Sequence, residues 1–376
     1  MERSMQPELI LDQMKTLGDL HRESFREIDH SVRKGLTALE VESLHRIYAF
    51  GDGDSYHSAL SSEMAFNEFS QIMYRPLSAM RFLEYGADYI PVNFPRDTLA
   101  VGISASGGTT RVVQGLERAK EKSDKIIIAA LVGNTNTKVA GAADTVFSAE
   151  IPELGRSPGI RSYVASMMGL FSLAIRVGEV KRKFSQDDAN ILRKEIVDIA
   201  EIVEATYEAS HKPSEKAAKV VKEHPFISYA GSGPSFGSAS FSGAKVVEAS
   251  GVFSVPADLE EWAHVERFSY PLDFPVFMVA PPGKGYWRAA MLAEAVKQLG
   301  HYLMVVVEEG DEEVSKHADI VFPVKGQVRE AFSPLLYYIA GTTFAYYLTK
   351  ALSRSMFMSD NDFVMKMREE MMRQIH

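Results

Sequence analysis

The chain has 376 residues, which is more than one hydrophobic core usually organises, so its length favours two domains. A composition that is 46% hydrophobic and 24% charged is typical of a globular protein and excludes a disordered or collagen-like chain. The net charge of −9 argues against general nucleic-acid binding, and the lack of cysteine excludes disulfides, thiolate nucleophiles and cysteine-based metal sites.

The first residues, MERSMQPELILDQ, carry charges and lack the apolar core of a signal peptide. No stretch of about 18 residues is apolar without interruption, which is the length a membrane-spanning helix needs. The sequence therefore predicts a cytoplasmic protein with neither a membrane nor a nucleic acid among its partners.

Helical apolar spacing in roughly the first forty residues gives way to short apolar runs that alternate with longer amphipathic stretches. This alternation is typical of parallel α/β sheets. A charged, helix-like segment at residues 187–221 separates two sets of runs, and we expect Pro213 to break it in two. Strands are expected at residues 46–50, 99–103, 125–132 and 145–148, then at 226–230, 276–280, 301–307 and 320–324.

The two sets of runs look like copies of one unit. AFGDGDS at residues 49–55 aligns with YAGSGPS at 229–235, LAVGISASGGTT at 99–110 with VFMVAPPGKGYW at 276–287, and ADTVF at 143–147 with ADIVF at 318–322. The strand–turn–helix pattern common to all α/β domains could explain one such match but hardly three in the same order. We expect an α/β fold with a helical segment at 1–45, a first domain at 46–185, a helical linker at 186–222, a second domain at 223–350 and a tail at 351–376.

A hydroxyl-rich turn follows the second strand of the first set. The apolar run leads into SASGGTT at residues 104–110, and an amphipathic helix begins there. Helix N–H groups and Ser/Thr hydroxyls suit a phosphate, whereas the absence of lysine and of GxxxxGK[ST] excludes a nucleotide P-loop. Ser55 follows the first strand and could reach the same ligand. The alternative is plain N-capping by Ser106 or Thr109.

The equivalent loop of the second set, APPGKG at residues 280–285, has lost the hydroxyls and gained two prolines, which have no N–H to donate. Duplication followed by this loss predicts a division of labour. The first domain would hold the phosphate, and the second would supply other groups.

A carboxylate and a histidine in the second domain could be those groups. Lys245 and Glu248 share a helix face, and the apolar neighbours of Glu248 would raise its pKa if the side chain were buried. Together with His264, Glu248 could move protons as sugar isomerisation requires. The alternative is a surface ion pair and a structural histidine. The histidines show no HxH or HExxH spacing, so we expect no metal, and no organic cofactor is implied.

These motifs resemble the SIS (sugar isomerase) family in its double-domain form, over nearly the whole chain from about Arg46. The resemblance is to the isomerase half of glutamine–fructose-6-phosphate transaminase and to related deaminases and deglycases. The family's SxSGxT motif reads SASGGT at residues 104–109. The resemblance implies that the sugar phosphate is bound by Ser104, Ser106 and Thr109, with Ser55 and Ser162 as further ligand-binding serines.

The resemblance also implies catalytic roles. The family's KxxE helix is followed sixteen residues after the glutamate by a histidine, as Lys245, Glu248 and His264 are here. Glu248 would exchange a proton between C1 and C2, and His264 would open the sugar ring, often from a neighbouring subunit, which implies a homodimer with its site at or near the interface. Lys366 falls within about one residue of the family's Schiff-base lysine, although the surrounding residues differ.

The sequence thus predicts an enzyme, a sugar-phosphate isomerase or deaminase acting on an aminated hexose 6-phosphate. The best candidate substrate is glucosamine 6-phosphate. Two alternatives stay open: a fructosamine-6-phosphate deglycase, which needs no tail lysine, and a non-catalytic sugar-phosphate sensor.

Overall fold

The computed structural model describes residues 5–155 and 157–375, which fold into two units. The first unit is built mainly from Asp19–Pro152 and Arg161–Asp198. The second is built mainly from Ile199–Met367, with Glu153–Ile160 and the first helix. The domain boundaries drawn from the sequence stay a prediction.

Each unit contains one parallel five-stranded sheet. The first sheet has the order β2-β1-β3-β4-β5 and the second β7-β6-β8-β9-β10, so the two share one topology. The strands are β1 (Arg46–Gly51), β2 (Met73–Ser78), β3 (Thr98–Ser104), β4 (Ile126–Val132), β5 (Thr145–Ser148), β6 (Phe226–Ala230), β7 (Phe253–Ala257), β8 (Pro275–Val279), β9 (Tyr302–Glu308) and β10 (Ile320–Val324).

Helices connect and cover the strands. They are α1 (Glu8–Lys15), α2 (Leu17–Asp19), α3 (Phe25–Gly35), α4 (Ala38–Ser43), α5 (Asp54–Ser61), α6 (Glu63–Ala65), α7 (Ala79–Tyr85), α8 (Thr110–Lys122), α9 (Lys138–Ala142), α10 (Arg161–Val180), α11 (Gln186–Val221), α12 (Pro234–Ser250), α13 (Leu259–His264), α14 (Tyr286–Gln298), α15 (Ile339–Ala351) and α16 (Asp362–Ile375).

Continuous apolar strands explain why helices cover both faces of each sheet. Every residue of β3, β4 and β8 is buried, as expected for central parallel strands that face helices on both sides. Helix α10 is long and apolar enough to cross a membrane by length and composition alone, but 83% of its apolar window is buried inside the protein. It is therefore a core helix of the first unit.

The eight strands expected from the sequence are all present, and each boundary is right to within about one residue. The sequence missed β2 and β7, which pair with β1 and β6 at one edge of their sheets. Both are partly exposed and carry a proline, Pro76 in β2 and Pro256 in β7. Proline has no N–H for the ladder and is tolerated at an edge, which is why these strands lack a strong strand signal.

The prediction that Pro213 breaks the charged segment was wrong, because α11 continues through it. A proline inside a helix removes one hydrogen bond but need not end the helix. Its neighbours anchor this stretch to the second unit: Ser214 is buried, and Ser210 Oγ donates to Thr343 Oγ1 of α15 at 2.9 Å.

Candidate active site

The turn after β1 places Ser55 at the carboxyl edge of the first sheet. Gly53 has φ +54°, which glycine adopts at little cost, and it precedes α5. A Cβ on Gly51 would lie 2.6 Å from Ser55 Cβ and 2.7 Å from the carbonyl oxygen of Ile103. Ser55 is therefore buried beside the end of β3, where parallel sheets gather their ligands.

The predicted phosphate turn is an ordered loop that follows β3. Ser104 is 2% exposed, and its Oγ accepts a hydrogen bond from the N–H of Gly107 at 3.1 Å. The hydroxyls of Ser104 and Thr109 are hydrogen-bonded at 2.9 Å. Ser106 is exposed, and its Oγ accepts from the N–H of Gly108 at 3.3 Å. The structure thus joins the hydroxyls of Ser104 and Thr109 and leaves that of Ser106 exposed on the same turn.

Thr109 occupies the N-cap position of α8 but does not cap it with its side chain. Its hydroxyl bonds Ser104 instead. The simple capping alternative therefore does not account for Thr109, and the start of a 13-residue helix receives no hydrogen bond from that side chain. Such a helix start favours an anion. Arg111, in the first turn of α8, adds the cationic side chain that the loop itself lacks.

A neighbouring turn that the sequence analysis did not single out holds this loop in place. Gly107 has φ +66°, and a Cβ there would overlap the side chain of Thr137. The N–H of Val139 donates to the carbonyl of Gly107 at 3.0 Å. The sequence feature that could have revealed this turn is the polar run NTNT at 134–137, shortly after β4. Because the carboxyl ends of β3 and β4 are adjacent, the turns that follow them lie side by side.

Asp52 is a second group that the sequence analysis passed over. Its Oδ1 accepts a hydrogen bond from the N–H of Ala79, the first residue of α7, at 3.2 Å. Burial of the carboxyl raises the pKa of Asp52, while the hydrogen bond from Ala79 and the positive charge of Arg111 oppose the rise. Asp52 therefore adds an electrostatically coupled carboxyl at the same edge of the sheet.

Ser162 lies in the first turn of α10 and is partly exposed. The adjacent Tyr163 is hydrogen-bonded through its hydroxyl to Ser61 Oγ at 2.8 Å. Helix α10 therefore packs against α5, the helix that carries Ser55, so that both predicted ligand-binding serines outside the turn lie on packed helices of the first unit.

Lys245 and Glu248 form an ion pair on α12 in the second unit. Lys245 is fully buried, with Nζ 2.5 Å from Glu248 Oε2 and 4.8 Å from the centre of the Phe241 ring. A buried ammonium needs such a partner, so this is not the surface ion pair offered as the alternative. The Glu248 side chain is 31% exposed, so the full burial on which the sequence argument for a raised pKa depended is not present.

His264 is the last residue of α13 and is exposed. Its Nε2 lies 3.2 Å from Glu260 Oε1. Arg288 of α14 fixes that carboxylate with two hydrogen bonds of 2.6 and 3.0 Å, and this pairing with Arg288 lowers the pKa of Glu260. The imidazole is therefore held at the surface beside an anchored carboxylate.

The helices of the predicted acid and histidine lie on opposite faces of the second sheet. A Cβ on Gly243 of α12 would touch the ring of Tyr229, so α12 covers the face to which Tyr229 points. Trp262 of α13 donates through Nε1 to Ser228 Oγ at 2.9 Å. Successive strand residues point to opposite faces. Within one chain the second sheet therefore stands between the helix of Glu248 and that of His264.

Lys366 is exposed on α16. The structure therefore divides the predicted residues into three groups. The hydroxyl turn is assembled in the first unit, the Lys245–Glu248 pair is formed in the second, and His264 and Lys366 each stand on other elements.

Tandem parallel α/β units, with an ordered hydroxyl-lined turn at a helix start in the first, define the class of this protein. Residues 41–176 match the SIS domain. Over 324 residues the chain is 26% identical to the glutamine–fructose-6-phosphate aminotransferase [isomerizing] of Thermococcus kodakarensis, covering 86% of this chain and 51% of that protein. It is 25% identical over 305 residues to the same enzyme of Pyrococcus horikoshii, covering 81% and 48%.

Solved structures agree on the fold. The C-terminal domain of glucosamine-fructose-6-phosphate aminotransferase from Francisella tularensis has a TM-score of 0.79 at 14% identity, covering 92% of this chain and 96% of that one. Glucosamine-6-phosphate deaminase from Thermotoga maritima has a TM-score of 0.67 at 18% identity, covering 92% and 94%.

The chain thus contains an SIS domain and is homologous to the isomerase half of glutamine–fructose-6-phosphate aminotransferases, which confirms the predicted resemblance. It spans about half the length of the curated relatives it matches.

Proposed function

We propose that this protein is a sugar-phosphate isomerase or deaminase that acts on an aminated hexose 6-phosphate, with glucosamine 6-phosphate as the leading substrate. The observation that carries the proposal is the hydroxyl turn at residues 104–109, in which the hydroxyls of Ser104 and Thr109 meet at a helix start that the Thr109 side chain leaves uncapped. Homology to the isomerase half of the aminotransferases supports the same substrate class.

The phosphate would be anchored in the first unit. Ser104 and Thr109 hydroxyls, N–H groups at the start of α8 and the charge of Arg111 can all favour a dianion. An anchored phosphate holds the sugar carbons in a fixed position, which lowers the entropic part of the barrier.

Glu248 would perform the proton transfer. Its carboxylate takes the proton from C2 of the open-chain sugar, the electrons of the broken C–H bond form the C1–C2 double bond, and the carbonyl oxygen at C1 gains a proton. Return of the proton from Glu248 to C1 gives an iminium ion at C2, which water hydrolyses to the ketose and an ammonium ion. The buried ammonium of Lys245, 2.5 Å away, holds the Glu248 carboxylate in position for this transfer. No metal or organic cofactor is needed for these steps.

His264 would open the sugar ring, and we propose that it does so in the site of a second copy of the chain. This arrangement is favoured because the helices of Glu248 and His264 lie on opposite faces of one sheet. A homodimer would then carry its active sites at or near the subunit interface.

The deciding experiment replaces Glu248 with Gln and measures turnover of glucosamine 6-phosphate by NMR. Loss of a general base typically costs 10²–10⁴-fold in kcat, and binding of the substrate should change little because the phosphate turn is intact. Glu261→Gln, at an exposed carboxylate of α13, is the matched control and should keep normal turnover. Normal turnover by Glu248→Gln would refute the assignment.

A deglycase uses the same turn, Glu248 and His264 but not a Schiff-base lysine. Lys366→Ala distinguishes a deglycase, which keeps most of its activity, from a deaminase that also forms a Schiff base through Lys366, which loses nearly all of it. Calorimetric binding of sugar phosphates without any product by NMR would instead identify a sensor.

A further inference from the structure

The second unit repeats the phosphate turn in altered form, and the position of its ligand is filled by a side chain of the same chain. The turn at residues 280–285 connects β8 to α14, as the turn at 104–109 connects β3 to α8. In the second unit, Oε2 of Glu330 accepts a hydrogen bond from the N–H of Lys284 at 3.0 Å. A carboxylate thus accepts from an N–H just before the start of α14, in the turn that corresponds to the proposed phosphate turn of the first unit.

Three further observations show that this carboxylate fits the turn closely. A Cβ on Gly283 would overlap the carboxyl group of Glu330, so only glycine permits this approach. The N-cap of α14, Gly285, offers no side chain to the helix start. The remaining space, which Ser232 and Ser235 also line, is about 10 Å³, enough for at most one water molecule.

We propose that Glu330 is an internal ligand of the second unit and determines the number of phosphate sites, so that the first unit alone accepts a sugar phosphate. A phosphate at the second turn would have to displace the carboxylate and tolerate its negative charge. This inference rests on the proposed phosphate site of the first unit, and it assigns to Glu330 the role of a specificity-determining residue.

The test uses the full chain with the first turn disabled by Ser104→Ala and Thr109→Val, and inorganic phosphate as the probe in calorimetry. In this background we expect no saturable binding. Adding Glu330→Ala should create one site per chain with a dissociation constant in the millimolar range. Adding Glu330→Gln should create none, because glutamine fills the same space and its carbonyl can accept the same hydrogen bond.

Absence of phosphate binding by the Glu330→Ala chain, or equal binding by the Ala and Gln chains, would overturn the proposal. If the Glu330→Ala chain does not fold, a second measurement still tests the proposal. In the unsubstituted chain labelled with 15N-lysine, the Lys284 amide shift should follow the titration of a carboxyl group, and Glu330→Gln should abolish that titration. An amide shift independent of pH would also overturn the proposal.

The two proposals fail in different ways. Phosphate binding that survives Ser104→Ala and Thr109→Val in a chain with intact Glu330 would count against the first-unit site. The difference between the Ala and Gln chains concerns Glu330 alone, and it does not depend on turnover.

Discussion

The two units share one sheet topology but differ in the side chains that fill their turns. Gly53 and Gly233 begin equivalent helices with nearly the same dihedral angles, φ +54° and ψ −125° in the first and φ +56° and ψ −130° in the second. After β3 the first unit presents three hydroxyls, whereas after β8 the second unit presents prolines and holds Glu330. The two turns thus share a place in the fold, after the third strand of each unit, and differ in the side chains that line them.

A polar pair at the carboxyl edge shows the same conservation of geometry with exchanged chemistry. In the first unit Asp52 follows β1 and Ser78 caps α7, and Asp52 accepts from the N–H of Ala79. In the second unit, at positions 180 residues later, Ser232 follows β6 and donates to Asp258, which caps α13. The hydroxyl and the carboxyl have changed places, so a polar link between strand and helix persists in both units.

The largest expected effect is on substrate affinity, which should depend on the turn of the first unit and not on that of the second. We expect Ser104→Ala with Thr109→Val to weaken binding of glucosamine 6-phosphate by about 10²–10⁴-fold, because two hydrogen bonds to a charged group contribute roughly 3–6 kcal/mol together. The matched control is Ser232→Ala with Ser235→Ala in the second unit, which should leave affinity within about threefold. Calorimetry measures both. Equal losses in the two double variants would mean that the units do not differ in this way.

A second prediction compares buried histidines. Burial lowers the pKa of His21, in the first unit, to about 4. The folded state therefore keeps His21 neutral while the unfolded state takes up a proton near pH 6.5, so stability is lost as the pH falls from about 6.5 to 4, by up to about 3 kcal/mol. His21→Asn, which keeps a donor for the carbonyl of Ile196, should flatten this dependence. Chemical denaturation at several pH values measures this pH dependence of the free energy of unfolding.

The corresponding variant in the second unit is His301→Asn. Burial also lowers the pKa of His301, but the negative charge of Asp273 opposes the shift, so we expect a smaller flattening. Comparing slopes with pH rather than absolute stabilities removes any loss of packing common to all pH values. A steeper slope in the His21→Asn chain than in the unsubstituted chain would contradict the sign of the effect.

The sequence predicted those features that depend on local pattern. Buried strands and the hydroxyl turn have strong signals, because apolar runs and Gly/Ser/Thr clusters follow from strand burial and turn chemistry. The sequence did not predict the edge strands β2 and β7. It also did not predict the contacts of Thr137 and Glu330, because these join residues that are distant in sequence. The placement of Glu248 and His264 on opposite sheet faces likewise follows from topology, which a spacing of sixteen residues does not reveal.

The smallest expected effect tests whether the two turns differ in rigidity. Gly107→Ala forces a side chain into φ +66° and against Thr137, which we expect to cost about 1–3 kcal/mol of stability. Gly283→Ala meets only the end of the flexible Glu330 side chain, which can rotate away, so a cost below about 1 kcal/mol is expected.

Urea unfolding followed by circular dichroism measures both variants. Because Trp262 and Trp287 both lie in the second unit, tryptophan fluorescence follows that unit and should shift less than the dichroism signal for Gly107→Ala. An equal or larger cost for Gly283→Ala would show that Glu330 is fixed as firmly as Thr137. The carboxylate would then be a rigid part of the turn, and the second unit could not release it to admit an anion.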